Sequence, residues 1–130
     1  MLVVDASVLA PALADDGPSG DKARARMSGQ DLAAPDLVDL EVLSVLRRQL
    51  AAGTLDARRA SFAVADLSDL PLERAPHWSL INRCWELRHN LTPYDAAYVA
   101  LAELLDADLL TADTRLATAS GPRCRIMVLT

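Results

Sequence analysis

The sequence contains few cysteine, lysine and aromatic residues. Its two cysteines, Cys84 and Cys124, lie far apart without C-x-x-C spacing, which argues against a disulfide framework or a zinc site, so we expect buried structural thiols. Lys22 is the only lysine and the net charge is -5, which argues against a simple basic nucleic-acid binder. Aromatic residues make up 4 % of the chain. Trp78 and Trp85, seven residues apart on one helix face, are therefore predicted to lie in the core rather than on an RNA-stacking surface.

Long apolar runs are also missing. No uninterrupted stretch approaches the length of a membrane span, and the amino terminus has no basic segment and carries Asp5 within its first apolar run, unlike a secretory signal. We therefore expect a cytoplasmic protein. At 130 residues and 52 % hydrophobic content, the chain is long enough for one core and too short for two. We expect one domain over residues 1–130.

Short apolar runs alternate with helical patterns along the chain. The predicted strands are residues 2–5, 31–35, a short extended segment within 71–76, 108–111 and 125–129. The predicted helices are residues 7–13, 21–27, 36–53, 56–67, 78–87, 92–104 and a short one from 114. This alternation predicts an α/β fold with three α/β/α layers and a short, mostly parallel central sheet.

Four acidic residues occupy strand ends, helix starts or the long central helix. They are Asp5, Glu41, Asp95 and Asp113. Because the carboxyl ends of parallel strands converge on one crevice, acids that are distant in sequence can become neighbours in space. Two carboxylates about 4 Å apart repel by about 1 kcal/mol in water and about 4 kcal/mol at an effective dielectric of 20. A cluster of this kind needs a cation, and oxygen ligands favour Mg²⁺ or Mn²⁺.

Each acid also has a structural alternative. Asp5 and Asp113 could cap the helices that follow them, and Asp95 could be the acid of a capping box that begins at Thr92. Glu41 discriminates best between the two interpretations, since it lies among apolar residues of the long helix, where an unpartnered carboxylate would be desolvated. Its alternative position is the solvated edge of that helix.

The arginines and histidines give weaker signals. Arg47 and Arg48 fit the solvated side of the long helix or, as the alternative, a groove that binds RNA phosphates. His77 and His89 lie in no catalytic motif and are expected at the surface or at helix ends. A metal-dependent reaction would require neither histidine.

Four segments of the chain resemble the PIN domain family, and most closely the VapC toxins of bacterial toxin–antitoxin pairs. These segments are Val3–Leu9, Leu40–Val42, Tyr94–Ala102 and Leu110–Leu116. The resemblance implies a small α/β/α ribonuclease whose catalytic and metal-binding acids are Asp5, Glu41, Asp95 and Asp113. It also implies that Ser7 supports the first of these acids.

Further expectations follow from the same resemblance. The cofactor would be Mg²⁺ or Mn²⁺, the substrate RNA, and the partners a second copy of the chain and a cognate antitoxin protein that covers the active groove. Thr114 and Arg115 follow Asp113, where some relatives have another acid or asparagine, so the metal count stays open between one and two ions. The alternative function is a non-catalytic PIN-like module that binds protein or RNA, and the four acids count against it.

Overall fold

Five short strands form one sheet in the computed structural model, which describes residues 1–130. In chain order the strands are β1 (Leu2–Val4), β2 (Leu32–Pro35), β3 (Leu72–Ala75), β4 (Asp108–Thr111) and β5 (Ile126–Val128). Their spatial order is β3-β2-β1-β4-β5, and every neighbouring pair is parallel. The predicted sheet is confirmed, and it is parallel throughout rather than mostly so.

Seven helices cover the two faces of this sheet. They are α1 (Ala6–Ala14), α2 (Pro18–Met27), α3 (Leu37–Ala51), α4 (Ala57–Asp69), α5 (Ile81–Glu86), α6 (Pro93–Leu104) and α7 (Thr114–Thr118). The helix predicted at 78–87 is divided into a 3₁₀ turn, Trp78–Leu80, and α5. Helix α1 packs against α2, α3 and α4, whereas α6 packs against α5 and strands β1, β2 and β4, which gives the expected three layers. None of the helices combines the length and apolar character needed to cross a bilayer.

Strand β1 lies at the centre of the sheet and is buried on both faces. Val3 and Val4 have no exposed surface, as expected for a parallel strand between two helical layers. Val4 pairs in register with Leu110 of β4, and the backbone N–H of Asp5 donates to the Leu110 carbonyl at 3.3 Å. The two strands therefore end side by side, which brings the residues that follow them together.

Helix α6 is buried over seven consecutive residues, Ala96 to Ala102. Four of the seven are alanines, whose small side chains let the helix approach its neighbours closely. The helix starts as predicted, because the Thr92 hydroxyl accepts a hydrogen bond from the Asp95 backbone N–H and Pro93 occupies the first turn. Residues near this end of α6 are thus held by both a cap and the core.

Candidate metal and catalytic site

Asp5 follows β1 and is the only buried acidic residue, with 7 % of its surface exposed. Its Oδ1 accepts hydrogen bonds from the Ser7 hydroxyl at 2.5 Å and the Ser7 backbone N–H at 3.1 Å, while its Oδ2 accepts one from the Thr111 hydroxyl at 2.5 Å. Burial raises the pKa of Asp5 above its ordinary value, and these hydrogen bonds offset part of that rise. Asp5 caps α1, as the structural alternative predicted, and it is also the most firmly held carboxylate of the site.

The Ser7 and Thr111 hydroxyls connect Asp5 to the turn between β4 and α7. Ser7 Oγ accepts the Ala112 backbone N–H at 2.8 Å, and Thr111 Oγ1 accepts the Asp113 backbone N–H at 3.1 Å. A hydroxyl has a single hydrogen, so each of these groups donates to Asp5 and accepts from the turn. Ser7 is thus engaged in supporting Asp5, and the turn that carries Asp113 is fixed relative to that carboxylate.

Glu41 enters the site from α3 and is half-buried. The Tyr98 hydroxyl, on α6, donates to Glu41 Oε1 at 2.5 Å. Burial raises the pKa of Glu41, the Tyr98 hydrogen bond opposes this rise, and the carboxylates of Asp5 and Asp95 add to it. Glu41 is therefore not on a solvated edge: it has a partner on the facing helix and lies within electrostatic reach of two other acids.

Asp95 lies in the first turn of α6. Its backbone N–H donates to the Thr92 hydroxyl at 3.2 Å, but the reciprocal hydrogen bond of a capping box, from the Thr92 backbone N–H to the Asp95 carboxylate, is not formed. Burial and the nearby charge of Asp113 raise the pKa of Asp95, while Thr92 and Arg115 partly offset the rise. The Asp95 carboxylate therefore makes no hydrogen bond in the helix cap.

Asp113 caps α7 and remains the most readily ionised member of the set. Its Oδ1 accepts the Arg115 backbone N–H at 2.9 Å, and the Arg115 guanidinium lies 3.4 Å away. Burial pushes the pKa of Asp113 upward, but the interactions with Arg115 outweigh it, so the pKa lies below its ordinary value. Asp113 therefore ionises at a lower pH than its neighbour Asp95.

The four acids form a chain of repulsive neighbours. Asp5 and Asp95 each raise the pKa of Glu41, and Asp113 raises that of Asp95. The all-oxygen donor set and this mutual repulsion fit a hard divalent cation chemically. No three carboxylate, imidazole or thiol groups are already gathered as a metal-binding group, so an ion would have to draw the acids closer together. Their role as ligands stays a prediction.

The prediction for the two tryptophans was wrong. Trp78 and Trp85 are 74 % and 67 % exposed. Trp85 lines a groove of about 510 Å³ together with Leu37, Ile81 and Tyr94, which we call the apolar groove. Seven-residue spacing assumes one continuous α-helix, whereas Trp78 lies in the 3₁₀ turn and Trp85 in α5, and the spacing does not reveal whether the chain's own core covers these side chains.

Neither cysteine forms a disulfide, and His77 makes a hydrogen bond to the backbone. Cys84 and Cys124 are free and only half-buried, less enclosed than expected, and desolvation raises the pKa of both thiols. His77 Nε2 accepts the Leu37 backbone N–H at 2.9 Å, at the start of α3. His77 therefore has the helix-end role predicted for it.

Two residues of the site were not singled out from the sequence, Thr111 and Tyr98. Thr111 is the last residue of an apolar strand, two positions before Asp113, and has no exposed surface. Tyr98 is the only residue with a side-chain polar group within the buried stretch of α6 and lies one turn after Asp95. A polar group enclosed by apolar residues and close to a candidate ligand was the available signal in both cases.

The sequence is similar to a known protein family and to individual relatives in it. Residues 2–122 match the PIN domain family. The chain is 42 % identical over 129 residues to the VapC ribonuclease Mb0985 of Mycobacterium bovis, covering 99 % of this chain and 98 % of that protein. It is 43 % identical over 128 residues to ribonuclease VapC1 of Mycobacterium tuberculosis, covering 98 % and 96 % of the two chains.

Two solved structures share the fold. PAE2754 from Pyrobaculum aerophilum has a TM-score of 0.68 and 27 % identity, over 96 % of this chain and 81 % of that one. VapC20 of Mycobacterium tuberculosis, described as a sarcin-ricin loop cleaving toxin, has a TM-score of 0.69 and 18 % identity, over 89 % and 92 %. These likenesses agree with the three-layer architecture derived above.

The raised pKa of Glu41 gives a pH-dependent stability prediction for the metal-free protein. A pKa raised by folding stabilises the native state fully below the unfolded value, about 4.3, and this contribution is lost as pH rises through the folded value. Glu41→Gln keeps an acceptor for Tyr98 but cannot ionise. In the presence of EDTA we expect Glu41→Gln to be more stable than wild type at pH 7, with the difference shrinking toward pH 4, as measured by urea unfolding.

Glu73→Gln is the matched control, because Glu73 is an exposed acid on β3. We expect no comparable pH-dependent difference for that variant. A Glu41→Gln protein that is less stable than wild type by the same amount at every pH would show that the ionised Glu41 carboxylate does not destabilise the native state.

Proposed function

The chain belongs to the PIN domain family and, within it, to the VapC ribonucleases, and from this premise we propose that it is a toxin endoribonuclease. The proposed reaction is hydrolysis of RNA phosphodiester bonds with Mg²⁺ or Mn²⁺ as cofactor. The observation that carries the proposal is the pairwise electrostatic coupling of four acids from separate parts of the chain, of Glu41 to Asp5 and Asp95 and of Asp95 to Asp113.

The proposed metal ligands are Asp5, Glu41, Asp95 and Asp113. A bound divalent ion would lower the pKa of a water molecule for attack on the phosphodiester and stabilise charge on the leaving oxygen. The protein contributes a fixed carboxylate in Asp5, held by the Ser7 and Thr111 hydroxyls. It also contributes a carboxylate in Asp113 that stays ionised.

Arg115 offers a positive charge at the edge of this acidic site. Its side chain is 91 % exposed and its guanidinium lies beside Asp113. A guanidinium can contact phosphate oxygens with two parallel hydrogen bonds, so an RNA phosphate that approaches the acids would meet Arg115 first. This local charge offsets the overall acidity of the protein, which otherwise repels RNA.

A cognate antitoxin is the proposed regulatory partner. The support is membership of the VapC group, whose toxins occur in toxin–antitoxin pairs. The antitoxin would silence the enzyme by covering the acidic site. The sarcin-ricin loop is the RNA target named for VapC20. At 18 % identity, the similarity to VapC20 supports a shared fold and not a shared target.

We further propose that the protein is a homodimer that associates through the apolar groove and its borders. Five large apolar side chains in the groove lining or close to it in sequence are each more than 60 % exposed. Ile81, Trp85 and Tyr94 line the groove, and Leu40 and Trp78 follow the lining residues Leu37 and His77 in the sequence. Side chains of this size together present on the order of 700 Å², close to the roughly 800 Å² per partner buried in a standard interface. An apolar area this large exceeds the roughly 300–600 Å² of the largest apolar patch on a typical monomer.

The catalytic assignment predicts that single amide substitutions remove cleavage. Asp5→Asn and Asp95→Asn each delete a charge from the coupled set, and we expect RNA cleavage in the presence of Mn²⁺ to fall by at least about 100-fold, since even indirect disturbance of a metal site costs about 10- to 100-fold. The measurement is a chelator-sensitive cleavage assay on purified protein, with circular dichroism to confirm folding.

The control for that assay is Asp66→Asn, an exposed acid on α4, which should cleave like wild type after identical purification. The absence of cleavage in Asp5→Asn and Asp95→Asn, purified in the same way, excludes a contaminating nuclease as the source of activity. Wild-type activity in folded Asp5→Asn or Asp95→Asn would refute the assignment of that residue. Sequencing of RNA ends after brief expression of wild type and Asp5→Asn would then identify the cleaved RNA.

The dimer proposal predicts that a charge in the apolar groove separates the subunits. Trp85→Asp changes an exposed side chain, so the fold should survive while the interface loses its apolar contact. We expect light scattering with size-exclusion chromatography to give a dimer mass for wild type and a monomer mass for Trp85→Asp. Phe62→Asp is the matched control, because Phe62 is 53 % exposed on α4, outside the groove, and this variant should remain dimeric. A monomeric wild type would contradict the proposal.

A further inference from the structure

Tyr98 places a hydroxyl group inside a helix segment that is otherwise apolar. The residue is 2 % exposed and lies within the seven consecutive buried residues of α6, where its neighbours are alanine, valine and leucine. A hydroxyl buried in such surroundings is unfavourable unless it is hydrogen-bonded. Phenylalanine would fill the same space without this requirement, so packing alone does not explain the tyrosine.

The hydroxyl of Tyr98 is directed at the acidic site. It donates to Glu41 Oε1 at 2.5 Å and thereby joins α6 to α3. Asp95 precedes Tyr98 by three residues, so the two side chains project from neighbouring positions on one helix face. Helix α6 therefore delivers one carboxylate to the site and fixes a second one that comes from another helix.

The Tyr98 hydroxyl is a protonated donor. Burial raises its pKa far above the ordinary value, and the hydrogen bond to Glu41 and the charges of Glu41 and Asp5 add to this rise. A neutral donor of this kind can orient the Glu41 carboxylate without adding a positive charge. A lysine or arginine at this position would instead compete with a metal ion for the acids.

We propose that Tyr98 is a positioning residue that holds Glu41 in the orientation needed to bind a divalent cation. This inference rests on the metal-dependent function proposed above. The Tyr98 hydrogen bond occupies Glu41 Oε1, whereas Oε2 takes part in no hydrogen bond within the protein. Oε2 is therefore the oxygen left for a cation, and the Tyr98 hydrogen bond limits the rotation of the carboxylate that carries it.

The test compares Tyr98→Phe with Ser68→Ala. The first substitution removes the buried hydroxyl and keeps the ring, and the second removes an exposed hydroxyl on α4, away from the four acids and the apolar groove. The primary readout is the apparent Mn²⁺ dissociation constant, measured by calorimetry and by the rise in melting temperature with added Mn²⁺. We expect Tyr98→Phe to weaken Mn²⁺ binding by about 10- to 100-fold, as for other groups that orient metal ligands, and Ser68→Ala to match wild type.

A second readout separates positioning from general stability. A purely structural role would lower the melting temperature of metal-free Tyr98→Phe and leave its Mn²⁺ affinity unchanged, which would overturn the inference. Under the positioning role, cleavage by Tyr98→Phe should recover toward the wild-type kcat as Mn²⁺ is raised to saturation. The defect would then lie in metal affinity rather than in the cleavage step.

Glu41→Asp keeps the inference testable if Tyr98→Phe does not fold. Glu41 is half-buried. The aspartate retains the charge but is one methylene shorter, which moves its carboxylate away from the Tyr98 hydroxyl. We expect Mn²⁺ affinity to fall in this variant as well, and full affinity would refute the role of Tyr98. If wild type itself did not bind Mn²⁺, the proposed function would fail. If wild type bound Mn²⁺ and both variants bound it equally well, only the inference about Tyr98 would fail.

Discussion

Burial of carboxylates, to which their mutual repulsion adds, is the constraint on which the organisation of this protein depends. In the parallel sheet, strands β1 and β4 end side by side. Helices α3 and α6 bring two more acids toward the same edge of the sheet. Folded proteins are stable by only about 5–15 kcal/mol, so several carboxylates with raised pKa values are a substantial burden on the native state. An arrangement of this kind is retained where function needs it, and a divalent cation is the group that would turn the repulsion into attraction.

The fold moderates this repulsion with helix N-termini, hydroxyl groups and, at Asp113, the Arg115 guanidinium. Asp5 and Asp113 cap α1 and α7, and Asp95 lies in the first turn of α6, so three of the four acids face the partial positive charge of a helix N-terminus. Glu41 lies within α3 and receives the Tyr98 hydroxyl instead. The capping roles and the proposed metal-binding roles are therefore compatible, because a cap holds a carboxylate in place while leaving lone pairs available on its oxygens.

Much of this organisation could be predicted from the sequence, for reasons that differ between elements. The valine-rich run before Asp5 and the Thr92-Pro93 start of α6 are local signals, and the structure has both elements where they were expected. The environment of Tyr98 depends on α3 meeting α6 and could not be read from either segment alone. The predicted core position of Trp85 was wrong, because periodicity identifies an apolar face but does not reveal whether the core of the same chain covers it.

The most direct test of the central claim is a titration with Mn²⁺, in which electron paramagnetic resonance measures the concentration of free ion. The account predicts that wild type removes Mn²⁺ from solution in a saturable manner. It also predicts that a folded variant with Asp5, Glu41 and Asp95 all changed to amides leaves the free-ion signal equal to that of buffer. A wild-type protein that left the signal unchanged, or a triple variant that bound Mn²⁺ as wild type does, would contradict the claim that these distant acids form one cation-binding site.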